Sequence, residues 1–100
     1  MPVNKMRPIH PGEILLEEFL KPLKMSANAL SIALRIPAPR INDIVRQKRG
    51  LSADTALRLA RYFGSTAQFW LNLQTAYEFK IVEQQMGTSI QKEILPRQVA

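Results

Sequence analysis

Apolar residues in this chain recur every three or four positions and nowhere alternate with polar ones for long, so it can bury a continuous face only by forming helices. Prolines and glycines cut that pattern into segments. Leu16, Phe19, Leu20 and Leu23 fall at i, i+3, i+4 and i+7, with Glu13, Glu17 and Lys21 opposite, which predicts a first helix over 11–21. Pro11 suits its first turn; Pro22 forbids continuation, because the ring clashes with the preceding turn and carries no amide proton. Ser26 is the expected N-cap of a short second helix with Ala29, Leu30, Ala33 and Leu34 inward, ending near Arg35. Pro37 and Pro39 fit only the approach and first turn of a third helix, whose inward stripe is Ile41, Ile44 and Val45. Gly50 closes the next loop, Ser52 caps a fourth helix with Ala56, Leu59, Ala60 and Phe63 inward, Asp54 can pair with Arg58, and Gly64 ends it. Ser65 and Gln68 have capping-box spacing for a fifth helix over 66–86, and Gly87 is its expected breaker.

One hundred residues hold one hydrophobic core. The organisation expected is a flexible N-terminal arm over 1–8, a helical domain over 9–86 and a poorly structured tail over 87–100. No apolar run reaches the roughly 18–20 residues of a membrane span and no signal-peptide core is visible, so a cytoplasmic protein with no membrane partner is expected. Cysteine is absent and His10 is the only histidine, which leaves no thiol chemistry, no expected metal site and no expected cofactor. His10 reads as a residue that helps terminate the first helix. Nothing beside Glu13, Glu17 and Glu18 would raise one carboxyl pKa while holding its neighbour low, so they read as a solvated face. No catalytic residue, and no enzyme, is expected.

Of the net charge of +6, residues 25–64 carry +5, from Arg35, Arg40, Arg46, Lys48, Arg49, Arg58 and Arg61 against Asp43 and Asp54. A field concentrated in this way suits a polyanion, because each phosphate neutralised releases condensed counterions; a basic surface kept for solubility is the bland alternative. Two short helices joined by a tight turn, the second with a polar outer face, form a helix-turn-helix that fits the DNA major groove. With Ile41, Ile44 and Val45 inward, Pro39, Asp43 and Arg46 point outward, and Arg40, Asn42 and Gln47 lie on the flanks. Arginine can grip guanine and asparagine adenine with two hydrogen bonds each, Asp43 can accept from cytosine, and Ala38 or Pro39 can lie against a thymine methyl. Lys48 and Arg49 are placed to bind phosphate and position the helix.

The spacing from Ala27 through Leu30, Ala33, Ile36, Ile41 and Ile44 resembles the helix-turn-helix of lambda-repressor-like, Xre-family regulators. More closely, "MRPIHPGEILLEEFLKPL", "RINDIVRQKRGLSADTALRLARYFG" and "FWLNLQTAYE" resemble the HigA (virulence-associated protein I) antitoxins over residues 6–82. The resemblance implies an all-α, five-helix lambda-repressor-like domain, acting as a homodimeric repressor of its own operon. It also implies that the protein neutralises a cognate HigB-type toxin, an mRNA-cleaving ribonuclease. Two positions depart from the pattern: Ala27 stands where Xre proteins usually have glutamine, and Arg35 where they favour glycine. A left-handed Arg35 would cost about 1–2 kcal/mol relative to glycine.

Phe69, Trp70, Leu73, Tyr77 and Ile81 share a helical stripe, read as core or dimer interface rather than a platform for stacking bases. Leu71, Phe79, Val82 and Met86 lie off that stripe, and such surplus apolar area predicts a two-fold dimer through the fifth helix, matched to an inverted-repeat operator in double-stranded DNA. Glu13, Glu17 and Glu18 are a candidate surface for a basic toxin. A stand-alone Xre regulator without a toxin, or an interaction module with a degenerate helix-turn-helix, would carry the same core.

Overall fold

The computed structural model describes residues 7–98, and expectations for the ends of the chain at 1–6 and 99–100 lie outside the described residues. All regular structure among the described residues is helical. The first helix, α1, is continuous over 11–23 but changes pitch: Pro11–Ile14 is α-helical, Leu15–Leu20 π-helical and Lys21–Leu23 α-helical again. His10 starts this helix rather than helping to end it, its Nδ1 accepting the Gly12 amide at 2.8 Å. Pro22 does not stop the helix at 21. The π stretch ends with the Lys21 amide on the Leu16 carbonyl, five residues back, and the chain stays helical through Pro22 to Leu23. The wider turn also moves the buried face. Leu15 and Leu20, five apart, are fully buried, whereas Leu16 and Phe19 are half-buried and Leu23 is exposed. Lys24, with φ 53°, terminates the helix in the left-handed region.

Helix α2 spans Ala27–Leu34 and α3 spans Ala38–Val45. Ser26 caps α2 as its type suggests, its Oγ accepting the Ala29 amide at 3.0 Å. Leu30 and Leu34 are buried, but Ala29 and Ala33 are exposed and Ser31 is buried in their stead, its hydroxyl donating to the Asn28 carbonyl at 2.6 Å. In α3 Ile41 and Ile44 are fully buried and Val45 packs at the margin. Helix α4, Ala53–Phe63, is capped by Ser52 and ended by left-handed Gly64, with Thr55, Ala56 and Leu59 buried and Arg58 bound to Asp54 one turn back at 3.1 Å.

Helix α5 spans Ala67–Glu93. The Ser65–Gln68 capping box does not form: Thr66 caps the helix by accepting the Phe69 amide, Ser65 accepts the Trp70 indole N–H at 3.0 Å, and Gln68 donates to Asn72. Gly87 does not break the helix either, so residues 87–93 are helical rather than an unstructured tail. A lone glycine costs only about 1 kcal/mol relative to alanine, and a helix already nucleated gains a hydrogen bond with every further residue. Trp70 is fully buried, ringed by Phe19, Phe63 and Phe69 at 4.9, 6.4 and 5.0 Å between centroids. It is the centre of the chain's own core and has no surface left to offer a partner.

Candidate nucleic-acid interface

The turn between α2 and α3 is built by backbone geometry first. Arg35 sits in the left-handed region at φ 58°, its amide bonds back to the Ile32 carbonyl, and the Ile36 amide bonds back to Ser31 at 3.0 Å. Ile36 is buried and pins the turn to the core. The carbonyls freed at the end of α2 are met from α4: Arg58 donates to Leu34 O at 2.9 Å and Arg35 O at 3.3 Å while its Nε holds Asp54. Pro37 then opens α3, and the backbone turns so that Ile41 and Ile44 face inward.

The opposite face of α3 reaches solvent to different degrees. Pro39 and Arg46 are exposed, and Ala38, Arg40, Asn42 and Asp43 are half-buried. Arg40 lies 4.0 Å from Asp54, a loose, solvent-washed contact. Asn42 is engaged within the fold, its Nδ2 donating to Asn28 Oδ1 at 3.1 Å and to the Ala38 carbonyl at 2.9 Å. Lys48 and Arg49 are exposed on the loop after α3. Gln47, not Gly50, takes the left-handed conformation there, at φ 64°, which lets the Lys48 amide return to the Asp43 carbonyl at 2.8 Å. The basic side chains of α3 and this loop therefore reach solvent from a segment anchored in the core by Ile41, Ile44 and Leu51.

Three residues that shape this surface carried no functional signal in the sequence. A Cβ at Gly12 would lie 1.8 Å from the Ile44 carbonyl oxygen, so the start of α1 packs directly on the end of α3. Gln74 of α5, buried, accepts the Leu51 amide at 2.7 Å. His10 is buried, and its pKa is lowered by burial, with a backbone hydrogen bond to Arg49 acting in the opposite direction. Its ring also meets Tyr77 edge to face at 4.8 Å. The acidic face of α1 is partly spoken for: Arg7 binds Glu13 at 2.6 Å and holds that carboxyl below its ordinary range, and Lys21 binds Glu17 at 2.8 Å. Among the described residues no group of three His, Asp or Glu is placed to hold a metal ion, and no helix is long and apolar enough to cross a membrane.

No family model matches the chain. Relatives do. Virulence-associated protein I of Dichelobacter nodosus is 63% identical over 81 residues, covering 81% of this chain and 75% of the relative. Antitoxin HigA-1 of Vibrio cholerae is 35% identical over 75% of this chain and 70% of its own length. The chain belongs to the HigA antitoxin family. Among solved structures, antitoxin HigA of Pseudomonas aeruginosa with the higBA promoter has a TM-score of 0.89 at 52% identity, covering 92% of this chain and all of that one. The chain shares the all-α, five-helix fold of these helix-turn-helix proteins, with α2 and α3 joined through the Arg35 turn.

Proposed function

We propose that this HigA-family chain is a non-enzymatic transcriptional repressor that binds an inverted-repeat operator as a homodimer and also neutralises a cognate toxin. The observation that carries the reading is α3. It sits on an apolar base with its polar side outward, inside the segment holding +5 of the net +6 charge, in a fold matched by a HigA solved with promoter DNA. In this reading α3 enters the major groove, Arg40 and Arg46 read base edges, Ala38 and Pro39 supply apolar contact, and Lys48 and Arg49 bind phosphate. Asp43 orients a neighbouring arginine or accepts from cytosine.

Helix α5 supports the dimer. Twenty-seven residues span about 40 Å, and the molecule is 57 Å long, so this helix runs beyond the body. Phe69, Phe79, Val82, Met86 and Ile90 are exposed along it, while Leu73, Tyr77 and Ile81 are half-buried at its inner margin. For an inverted-repeat operator, a second copy covering this stripe must set the two α3 helices about 34 Å apart, one turn of DNA.

The test is affinity for the protein's own promoter across a salt series. Arg40→Ala costs about 1–3 kcal/mol and relaxes specificity at one base pair, whereas Lys48→Ala weakens every sequence alike and flattens the salt slope. No preference of the wild type for its promoter over random duplex overturns the repressor reading. For the toxin, co-expression with the product of the adjacent reading frame should give a stoichiometric complex, and failure to co-purify removes that half of the reading.

A further inference from the structure

The loop 46–51 that carries Lys48 and Arg49 is exposed over 46–49 and meets the core only at Leu51. Two buried polar side chains, from opposite ends of the chain, hold it from beneath. Gln74, 9% exposed, accepts the Leu51 amide through Oε1 at 2.7 Å and donates through Nε2 to Glu78 at 2.6 Å. A Cβ on Gly50 would lie 2.6–2.8 Å from the Gln74 amide group, so that group rests directly on the loop backbone. His10, 3% exposed, accepts the Gly12 amide and forms a backbone hydrogen bond with Arg49. Burying a polar side chain costs free energy unless its groups find partners. At position 74 an apolar residue would fill the core without that cost, and at position 10 a serine or asparagine would cap α1 without reaching the loop. What Gln74 and His10 have in common, and simpler residues would lack, is the hold on loop 46–51.

We propose that Gln74 and His10 are positioning residues that fix the backbone of loop 46–51, presenting Lys48 and Arg49 to DNA phosphates already ordered. This rests on the DNA-binding reading above. Without that hold the loop stays frayed in the complex as well as in the free protein, because ordering it costs more than its phosphate contacts return, so the contacts of Lys48 and Arg49 are lost. It also ties α5, the helix assigned to the dimer, to the phosphate-contacting loop through a single buried amide.

The experiment is a salt series of anisotropy titrations with promoter and random duplexes, using the full chain as wild type, Gln74→Met, Gly50→Ala and His10→Asn. Gly50→Ala unseats the flexible Gln74 amide from the loop side and keeps the fold; His10→Asn keeps a cap for Gly12 but is too short for Arg49. The expected result is a slope of log K against log salt reduced by about 1–2, since each lost phosphate contact removes about 0.9. Affinity at low salt should fall roughly tenfold on promoter and random DNA alike, as for other sequence-blind phosphate contacts. An unchanged slope in variants that circular dichroism shows to be folded overturns the proposal, even if their Tm falls, because a purely structural role lowers Tm alone. Whichever of the three variants folds decides the matter. If the wild type itself does not distinguish promoter from random duplex, the DNA-binding reading fails instead, and the two failures are told apart by that control.

Discussion

Replacing Gly12 with alanine tests how the groove-facing helix is seated. The new Cβ would lie 1.8 Å from the Ile44 carbonyl oxygen and 2.7 Å from its carbon, where ordinary contact begins at 3.4 Å. That carbonyl is backbone and accepts the Gln47 amide at 3.0 Å, so it cannot rotate aside as a side chain would. Either α1 retreats from α3 by more than an ångström or the Gln47 bond breaks. Overpacking costs about 1–3 kcal/mol even where side chains adjust, and a lost hydrogen bond adds about 1 kcal/mol. Alanine's better helix propensity returns about 1 kcal/mol. The net loss is about 1–3 kcal/mol, and at roughly 4–8 °C per kcal/mol for a domain of this size Tm falls by roughly 4–24 °C. Urea and thermal unfolding followed by circular dichroism measure it. The control is Gly64→Ala, where a Cβ meets nothing within 4 Å but the backbone is left-handed at φ +73°, so the cost is conformational and about 1 kcal/mol. If the two alanine variants are equally destabilised, or Gly12→Ala loses under about 1 kcal/mol, the close approach of α1 to α3 is not what requires glycine there.

Arg35→Gly should raise stability by about 1 kcal/mol, because the residue sits at φ 58° and its contact with Arg58 uses only the backbone carbonyl; a lower Tm would refute this. Stability should also depend on pH through His10, whose folded pKa lies below the ordinary value of about 6.5, chiefly because of burial. The unfolded chain then binds a proton that the folded chain refuses, so this contribution is complete above about pH 6.5 and declines as the pH falls below it, by at most about 1.4 kcal/mol per unit. His10→Asn should flatten that part of the curve, and an unchanged profile would count against the assignment. Val82→Glu with Met86→Glu places charge on the exposed stripe of α5 and should give a folded monomer by analytical ultracentrifugation; an intact dimer would move the interface elsewhere.

Local chemistry made much of this molecule legible from sequence. Ser26, Ser52 and Gly64 act at helix ends through bonds to near neighbours, and the Ile41–Ile44 stripe follows from helical spacing alone. What stayed hidden depends on residues distant in the chain. The π stretch at Leu15–Leu20 has no local signature, Ser65 is diverted from capping by the indole of Trp70, and Gln74 meets Leu51 across 23 positions. Gly12 and His10 look like any turn residues until α3 and the Arg49 backbone are set against them.

The side chains proposed to read DNA are not equally free to do so, and the energies rank them. The contact of Arg40 with Asp54 is 4.0 Å long between side chains 39% and 57% exposed, and an exposed ion pair of that kind is worth about 0–1 kcal/mol. A bidentate arginine–guanine contact discriminates by about 1–3 kcal/mol, so Arg40 can leave Asp54 for a base at a net gain, and Asp54 keeps its bond to Arg58. Asn42 stands differently. To grip adenine it must give up bonds to Asn28 and Ala38, each worth about 0.5–1.5 kcal/mol, which cancels a contact of the same size. In the proposed interface Asn42 therefore ties α2 to α3, and discrimination between bases falls to Arg40 and Arg46. Asn42→Ala should accordingly lower stability more than it changes the ratio of promoter to random affinity, and a collapse of that ratio with stability intact would return Asn42 to the readers.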